Sequence, residues 1–484
     1  MSYTARLNAL APGLQPGYAR RMDPRYDVLN DAGELAREFI DSLPSRPVGA
    51  TADVHDLRER LARPLTTAGE DPRTVIRDLA ADVDAGLVAS AGPRYFGFVI
   101  GGSHPAALAA DWLTSGWDNN TGLYVCAPAP TIIEETAGRW VVDLLHLPPE
   151  TSVGFVTGGM MANFSGLAAA RHRVLRNVGW DVESRGLQGA PRVRVLVGAE
   201  RHATIDVALR YLGLGADTVE IVPADEQGRM RAEALYTALE GGEPGPTIVC
   251  AQAGNVNSGS FDPFAEICDI AHARDAWVHV DGAFGLWAAA TETLHDRVHG
   301  VERADSWATD AHKWLNVPYD CGIVLCRHSD DHRATFSTQA SYLMQGSGES
   351  DAPPDPFDWV PEFSRRARGV PTYAVIRAIG RSGLAERIEQ GCAHARRFAD
   401  RLAAVPGIEI LNDVVLNQVL VRFADSDERT RAVVDGVQQD GTCWLSGTVW
   451  HGVAAMRISV SNWSTTEADV DRSADAIIRV FQGV

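Results

Sequence analysis

The chain has few of the sequence features that bind a protein to a nucleic acid or to a membrane. Its 484 residues include 44 Lys and Arg against 63 Asp and Glu, a formal net charge of -19, and no run of basic residues stands out. This charge disfavours a nucleic acid or an anionic membrane surface as a partner. No apolar run is long enough to span a bilayer, and the first residues have no apolar core of signal-peptide length. We therefore expect neither partner.

The cysteines also exclude certain classes of protein. There are seven, scattered along the chain and without a CxxC pair, which argues against a disulfide framework or a structural zinc site. A reducing, cytoplasmic location fits this usage best. His328 and His332, with acidic residues between them, superficially resemble a metal site, but they lie in a polar stretch and we favour a solvated turn. No metal is expected.

Apolar runs alternate with helical periods over most of the chain. VGFVTGG is followed by ANFSGLAAARHRVL, and TIVCAQAG by PFAEICDIAHARD. Repeated β-α-β units of this kind predict an α/β fold, in which helices cover both faces of a mostly parallel sheet. We assign this large three-layer domain to residues 86–375 and a small C-terminal α+β domain to residues 376–484. Residues 1–85 are predicted to be an N-terminal arm with amphipathic helices that pack on a partner subunit.

One lysine segment carries the strongest chemical signal. In DSWATDAHKWLNVPYDCGIVLC, His312 and Lys313 lie between a strand-like approach and a turn that leads into an apolar strand. A lysine there is poorly placed as a solvated charge, and its free amine can form a Schiff base with an aldehyde. Lysines at strand ends are also common on surfaces, so this segment alone leaves both interpretations open.

A second signal is the apolar strand in WVHVDGAFG, which ends at Asp281. Ligands of open α/β sheets bind beyond the carboxyl ends of the strands. A carboxylate placed there against a pyridine nitrogen keeps it protonated and makes the ring an electron sink. Asp at a strand end can also be a turn or capping residue. The small residues Gly282 and Ala283 favour the close approach of a flat ring.

Two further segments follow strands of the same sheet. VTGGMMAN places Gly159 and Met160 at a helix start whose backbone N–H groups suit a phosphate, and it matches neither GxGxxG nor GxxxxGK[ST]. His202 follows the strand RVRVLVGA and could stack on a planar ring, although a lone histidine is often structural. A phosphate turn, a histidine, an aspartate and a lysine in this order together predict pyridoxal 5'-phosphate (PLP) as the cofactor.

These motifs resemble those of the group II PLP-dependent amino-acid decarboxylases, the family of the aromatic-amino-acid and glutamate decarboxylases. HVDGAFG is similar to the family's HVDAAxGG segment, and DAHKWLNVPYDCG is similar to its NPHKWL...DC segment. The resemblance runs from about Pro93 to Arg381. It implies the aspartate aminotransferase-like fold of PLP-dependent transferases, an amino-acid substrate, and a homodimer with active sites at the subunit interface.

The resemblance also implies roles for single residues. Lys313 would carry the cofactor as an aldimine, Asp281 would pair with the pyridinium nitrogen, and His202 would stack on the ring. These three are the expected catalytic residues. The expected cofactor-binding residues are Gly159, Met160, His202, Asp281, Ala283, His312 and Lys313.

The chain departs from the family pattern at several positions. Met160 stands where the family commonly has Ser or Thr, and Asp310 stands where many relatives have Asn. The family's loop tyrosine, which protonates the quinonoid carbon after CO2 leaves, has no counterpart in DAPPDPFDWVPEFSRR. Tyr342 occurs early in the loop, and Phe357 or Trp359 would occupy the tyrosine's place.

Decarboxylation of an L-amino acid through a Lys313 aldimine and a quinonoid intermediate is therefore the leading expectation. Relatives without the loop tyrosine can instead form an aldehyde, ammonia and peroxide, which is the first alternative. A second alternative is aminotransfer, for which Arg457 in AMRISVSN could bind an α-carboxylate. A binding or regulatory protein on the same scaffold is a non-enzymatic alternative.

Overall fold

The computed structural model describes residues 23–338 and 355–484, which belong to two compact units, Met1–Ala89 and Ser90–Val484. The described part of the first unit contains three helices. The sequence DAGELAREFIDSL predicts a helix, and the first of the three confirms this prediction. They are α1 (Val28–Ser42), α2 (Val54–Leu61) and α3 (Pro72–Val83). Within this unit Asp31 of α1 accepts two hydrogen bonds of 2.8 Å from Arg73 of α3, and these tie the two helices together.

A seven-stranded sheet forms the centre of the second unit. Its strand order is β1-β7-β6-β5-β4-β2-β3. The five strands from β2 to β6 pair in parallel, whereas β7 is antiparallel to both of its neighbours. The predicted mostly parallel sheet is thus confirmed. The strands are β1 (Ser152–Val156), β2 (Arg194–Gly198), β3 (Glu220–Val222), β4 (Thr247–Gln252), β5 (Trp277–Asp281), β6 (Ser306–Asp310) and β7 (Gly322–Cys326).

Helices cover both faces of this sheet because its strands are apolar on both sides. Along β2, Val195 and Val197 belong to one buried cluster and Leu196 to another. The alternation follows from the two-residue period of a strand and produces the predicted three layers. The helices between residues 105 and 336 are α4 (Pro105–Trp117), α5 (Pro128–Leu144), α6 (Gly159–Asn177), α7 (Val182–Arg185), α8 (Ala203–Tyr211), α9 (Ala232–Gly241), α10 (Phe264–His272) and α11 (Ser329–Phe336).

The C-terminal part builds a second, four-stranded antiparallel sheet in the order β10-β11-β9-β8. Its elements are α12 (Gly369–Ala403), β8 (Ile408–Ile410), β9 (Gln418–Phe423), α13 (Asp427–Asp440), β10 (Ser446–Trp450), β11 (Val453–Ser459) and α14 (Glu467–Gly483). Sequence patterns predict β8, β9 and β11 but miss β10, which contains a glycine and is exposed at alternate positions. The assigned domain boundary at residue 376 falls inside α12, which kinks at Gly380 (φ 66°). The boundary remains a prediction.

The polar stretch after β7 differs from the solvated turn predicted around His328 and His332. It contains α11, and His332 on this helix is completely buried with Nδ1 2.9 Å from Ser152 Oγ. His328 is held by Asp305, whose Oδ1 lies 2.8 Å from Nε2. The predicted solvated turn is therefore wrong, because α11 packs its polar residues into specific hydrogen bonds.

Two features are absent from the described part of the chain. Among residues 23–338 and 355–484 there is no group of three or more His, Cys, Asp or Glu side chains that could hold a metal ion. Of the helices in the same ranges, none is long and apolar enough to cross a membrane. Tyr342 lies outside the described residues.

Candidate active site

Polar residues gather where the central strands of the large sheet end. β5 ends at Asp281 and the adjacent parallel strand β6 ends at Asp310. The two strand ends are locked together because the backbone N–H of Asp310 donates to Ala283 O over 2.9 Å. The carboxyl edge of the sheet thus brings the two expected segments of the sequence, around Asp281 and Lys313, to one place.

Lys313 lies on the tight turn that follows β6. Its Nζ is 3.0 Å from Asp310 Oδ2, and its side chain is 20% exposed. The turn is closed by a hydrogen bond from the Ala311 N–H to Cys321 O, and a Cβ atom at Gly101 would overlap the Lys313 carbonyl oxygen. Lys313 is also the only lysine in the chain, since the other 43 of the 44 Lys and Arg residues are arginine.

His312 is oriented by the same turn. Its Nδ1 accepts a 3.2 Å hydrogen bond from the Cys321 N–H, so a neutral ring carries its hydrogen on Nε2, 3.6 Å from Asp310 Oδ1. Burial lowers the pKa of His312, although Asp310 opposes the shift. The ring of Tyr319 packs against it with centroids 4.4 Å apart. His312 therefore presents a fixed N–H to the carboxylate beside Lys313.

The glycine turn before α6 packs directly on Asp310. A Cβ atom at Gly159 would come within 2.7 Å of Asp310 Oδ2, and one at Gly322 would overlap the backbone of Gly158. Only glycine fits these positions. Gly159 and Met160 are the first residues of α6, whose unpaired N–H groups and positive dipole end suit an anion. The Met160 side chain has no donor to add.

His202 caps the start of α8. Its Nδ1 accepts from the Thr204 N–H at 3.3 Å and lies 2.8 Å from Thr204 Oγ1. Burial lowers the pKa of His202, and of the nearby charges Asp281 raises it while Lys313 and Arg457 lower it. These interactions bring His202 into the same site as Asp281. The Asp281 carboxylate is buried, and its Oδ1 accepts from the Ala283 N–H at 3.2 Å.

A buried network lies behind Asp281. Trp277 Nε1 donates to Ser306 Oγ at 2.9 Å, Ser306 Oγ donates to His279 Nδ1 at 2.8 Å, and His279 Nε2 donates to Asn163 Oδ1 at 3.0 Å. Burial lowers the pKa of His279 to about 3, so this ring is neutral. Sequence reasoning missed this network. Its signal was the histidine two residues before Asp281, a polar residue inside an apolar strand.

Two more groups adjoin the site from outside the large sheet. Arg457 on β11 is buried, its Nε has no hydrogen-bond partner, and no carboxylate of the described residues forms an ion pair with it. Tyr95 stacks on Trp444 with centroids 5.0 Å apart, and burial raises the pKa of Tyr95 to about 12 although Arg457 lowers it. Arg457 Nη1 donates a 3.5 Å hydrogen bond to Val256 O, but a buried guanidinium without an ion-pair partner suits an anionic ligand, because an isolated buried charge is costly.

These features fit PLP. The glycine turn, where a side chain at Gly159 would crowd Asp310, would with the start of α6 form a cradle for a phosphate. Of the expected cofactor-binding residues, Asp281 would take the ring nitrogen, His202 and Ala283 the two ring faces, and Lys313 the aldehyde carbon. A cavity of about 780 Å³ lies elsewhere, between α5 and β1, and none of the expected cofactor-binding residues lines it.

Comparison with known proteins identifies a family for this chain. Residues 55–424 match the model of the pyridoxal-dependent decarboxylase conserved domain. Among curated relatives, the aromatic-L-amino-acid decarboxylase of Bacillus atrophaeus is 28% identical over 90% of this chain and 91% of its own. The cysteine sulfinic acid decarboxylase of Homo sapiens is 27% identical over 90% and 92%. The phenylacetaldehyde synthase of Arabidopsis thaliana is 26% identical over 84% and 85%.

A solved structure of Oryza sativa TDC with PLP and tryptamine has the same fold. It superposes with a TM-score of 0.89 at 25% sequence identity, covering 97% of this chain and 99% of that one. The expected aspartate aminotransferase-like fold of the group II decarboxylases is thus confirmed.

Proposed function

Because the chain belongs to the pyridoxal-dependent decarboxylase family, and is therefore a PLP-dependent carboxy-lyase, we propose that it releases the α-carboxylate of an L-amino acid as CO2. When bound, PLP supplies an electron sink for the electrons that the departing CO2 leaves on the α-carbon. The observation that carries the proposal is the cluster of Lys313, Asp310 and His312 beside Asp281 at one edge of the sheet.

Each residue has a task that its contacts support. Lys313 would hold the cofactor at its aldehyde carbon until a substrate amine takes its place. The buried Asp281 carboxylate keeps the pyridine nitrogen protonated. The neutral His202, whose Nδ1 caps the start of α8 by accepting from the Thr204 N–H, covers one face of the ring, and Ala283 leaves room at the other. The N–H groups at Gly159 and Met160 bind the phosphate.

The substrate carries a carboxylate that Arg457 recognises. This arginine is buried without an ion-pair partner among the described residues. A carboxylate of the bound substrate would form the missing ion pair. The same observation supports aminotransfer as a second candidate, because that reaction retains the α-carboxylate throughout. Curated relatives include decarboxylases of aromatic and of sulfinic amino acids, so the side-chain class of the substrate is left to experiment.

Oxidative decarboxylation to an aldehyde is a third candidate. The phenylacetaldehyde synthase relative supports it, and the described part of the segment before Arg365 contains no tyrosine between residues 355 and 364. The two outcomes differ in reactants and products: decarboxylation gives an amine and CO2, whereas the oxidative reaction consumes O2 and water and gives an aldehyde, CO2, ammonia and peroxide.

The active form proposed is a homodimer. Several large apolar side chains on α4 are exposed in the single chain, namely Trp112 (43%), Leu113 (54%) and Trp117 (47%). Exposed apolar surface of this kind is typical of a protein interface. Sedimentation of the purified protein should give twice the mass of one chain.

Three experiments test the function. Since Lys313 is the only lysine, borohydride reduction of the loaded enzyme followed by mass spectrometry should place PLP on the peptide that contains it. A panel of amino acids assayed for CO2, amine, ammonia, peroxide and 2-oxo acid then separates the three reactions. Lys313→Ala should remain folded but lose the visible absorbance of the bound cofactor and the turnover. Normal turnover by this variant would rule out the proposal.

A further inference from the structure

Gln252 is the last residue of β4 and lies beside Asp281. β4 and β5 are parallel neighbours, and Gln252 is the register partner of Asp281. Because side chains alternate between the two faces of a sheet, register partners point to the same face. Gln252, Asp281 and His202 also line one small cavity at the carboxyl edge of the sheet. Gln252 therefore lies in the proposed cofactor site, although it was not among the expected cofactor-binding residues.

Asn255 fixes the direction of the Gln252 side-chain amide. Asn255 is almost completely buried, and its Oδ1 accepts hydrogen bonds from the backbone N–H groups of Asn257 and Ser258 at 2.8 and 3.1 Å. Its Nδ2 is therefore the donor to Gln252 Oε1 at 3.1 Å, and it also donates to Glu200 O at 3.0 Å. The oxygen of the Gln252 amide is thus turned to Asn255, and the Nε2 group points away from this contact.

The Nε2 group of Gln252 is a donor without an acceptor. Within residues 23–338 and 355–484, no side chain or backbone group accepts a hydrogen bond from it. The backbone of Gln252 is held in place, because its N–H donates to Asp262 Oδ2 at 2.7 Å and its carbonyl accepts from the Asp262 N–H at 3.1 Å. A fixed donor that lacks an acceptor is available to a ligand.

The strand order indicates which part of the cofactor would meet this donor. In the PLP ring, C5 carries the phosphate arm and C3 carries an oxygen, and these two carbons lie on opposite sides of the line from the ring nitrogen to C4. The proposed phosphate site follows β1, which lies on the β6 side of β5 in the order β1-β7-β6-β5-β4. With the ring nitrogen at Asp281 on β5, the C3 oxygen would face β4, the strand that ends at Gln252.

The C3 oxygen of PLP is a good acceptor for an amide donor. It carries negative charge when the ring nitrogen is protonated, and a charged acceptor makes a stronger hydrogen bond than a neutral one. We propose that Gln252 is a cofactor-binding residue whose Nε2–H donates to the C3 oxygen of PLP, and that Asn255 is the positioning residue that directs this donor. The inference rests on the proposed placement of the ring nitrogen at Asp281 and of the phosphate at Gly159 and Met160.

Two variants and two ligands test the proposal. Gln252→Glu keeps the oxygen that accepts from Asn255 but loses the donor, whereas Gln252→Met loses both. The ligands are PLP and 3-deoxypyridoxal 5'-phosphate, which lacks only the C3 oxygen. In calorimetric titrations of the apoenzyme, both variants should bind PLP at least about tenfold more weakly than the parent protein does. The affinity of Gln252→Glu for the deoxy ligand should fall by no more than about threefold, since that ligand has no oxygen to accept the bond.

A spectroscopic readout tests the same hydrogen bond in the loaded protein. A donor to the C3 oxygen favours its charged form, so loss of the donor should move absorbance of the bound cofactor from the visible band toward the near-ultraviolet band of the form with a neutral C3 hydroxyl. Gln438→Met is the control, because Gln438 lies on α13 and donates to Leu445 O at 2.8 Å. Its absorbance spectrum should match that of the parent protein, and its affinity for each ligand should stay within about twofold.

The two ligands distinguish a lost donor from a disturbed site. Equal weakening of PLP and of the deoxy ligand in Gln252→Glu would overturn the proposal, as would unchanged PLP affinity in either variant. If borohydride reduction instead finds no cofactor on Lys313 in the parent protein, it is the proposed function that fails.

Discussion

The Nε2–H of His279 donates a 3.0 Å hydrogen bond to Asn163 Oδ1, and both side chains are completely buried. The bond joins β5, the strand that ends at Asp281, to α6, the helix that begins with the glycine turn. The proposed ring-nitrogen partner and the proposed phosphate site are thus fixed relative to each other by one hydrogen bond between neutral groups.

Asn163→Ala should weaken both the fold and the cofactor site. The variant leaves the His279 N–H buried and unpaired, which costs about 1–3 kcal/mol of the free energy of unfolding. Urea denaturation of the apoenzyme measures this cost, and absorbance titration should show lower affinity for PLP. Ser165→Ala is the control on the same helix, because the buried Ser165 Oγ has no hydrogen-bond partner. Equal destabilisation by the two variants would contradict the proposed link.

Asp281→Asn should impair turnover while leaving the cofactor attached. The amide cannot keep a pyridine nitrogen protonated, so kcat should fall by at least about 100-fold. The visible absorbance of the bound cofactor should persist, since Lys313 is unchanged. Measuring both on the same preparation distinguishes a chemical defect from loss of PLP. A kcat within threefold of the parent enzyme would refute the role assigned to Asp281.

Met160→Ser should strengthen phosphate binding. Met160 lies in the first turn of α6 beside the glycine turn, and its side chain offers no hydrogen-bond donor. A serine hydroxyl there could donate to the phosphate, and a hydrogen bond to a charged group is worth about 1.5–3 kcal/mol. PLP affinity should therefore rise about tenfold. Pyridoxal is the control ligand, and an equal gain for pyridoxal would show that the hydroxyl acts elsewhere.

Acid should destabilise the protein through buried histidines. Burial lowers the pKa of His332 to about 4, so between pH 4 and about 6.5 the unfolded chain binds a proton that the folded chain does not. The free energy of unfolding contributed by this residue therefore falls as the pH drops through that window, by about 1.4 kcal/mol per pH unit. Urea denaturation at pH 7.5, 6.5, 5.5 and 4.5 measures the slope.

His332→Gln provides the comparison. The glutamine does not titrate, so the pH slope should decrease by about 1.4 kcal/mol per unit whatever the variant does to stability at pH 7.5. Asp262, whose pKa burial raises to about 6, has the opposite effect on stability in both proteins and cancels from the comparison. An unchanged slope would show that the folded protein binds a proton at His332.

The sequence by itself determined the fold class and the chemical nature of the site. Alternating apolar runs predict β1 to β5 and β7 because a strand buried on both faces must be apolar throughout. The carboxyl-edge rule for open sheets then places Asp281 and His202 on the ligand side without coordinates. Lys313 follows from the same pattern, and its isolation as the only lysine strengthens the assignment.

Local sequence patterns did not predict the elements that are stabilised by contacts between residues distant in sequence. The stretch around His332 has the composition of a loop, yet it forms α11 because Asp331 receives a 2.6 Å hydrogen bond from Arg173 on α6. The half-exposed strand β10 has no alternation of apolar and polar residues regular enough to predict a strand from sequence. These elements are stabilised by partners more than a hundred residues away, or by a neighbouring strand, and no short window of sequence contains them.

Only the tertiary structure decided how the site residues are paired. The sequence places Asp310 three residues before Lys313 but does not say whether the carboxylate points to the lysine or to the phosphate turn. The tight turn after β6 and the contact with Gly159 orient it so that Oδ2 lies 3.0 Å from Nζ. Likewise, the sequence shows His279 only as a polar residue in an apolar strand, and the packing of α6 against β5 places Asn163 beside it. Side-chain direction depends on packing in three dimensions, whereas residue type and the succession of strands along the chain can be read from the sequence.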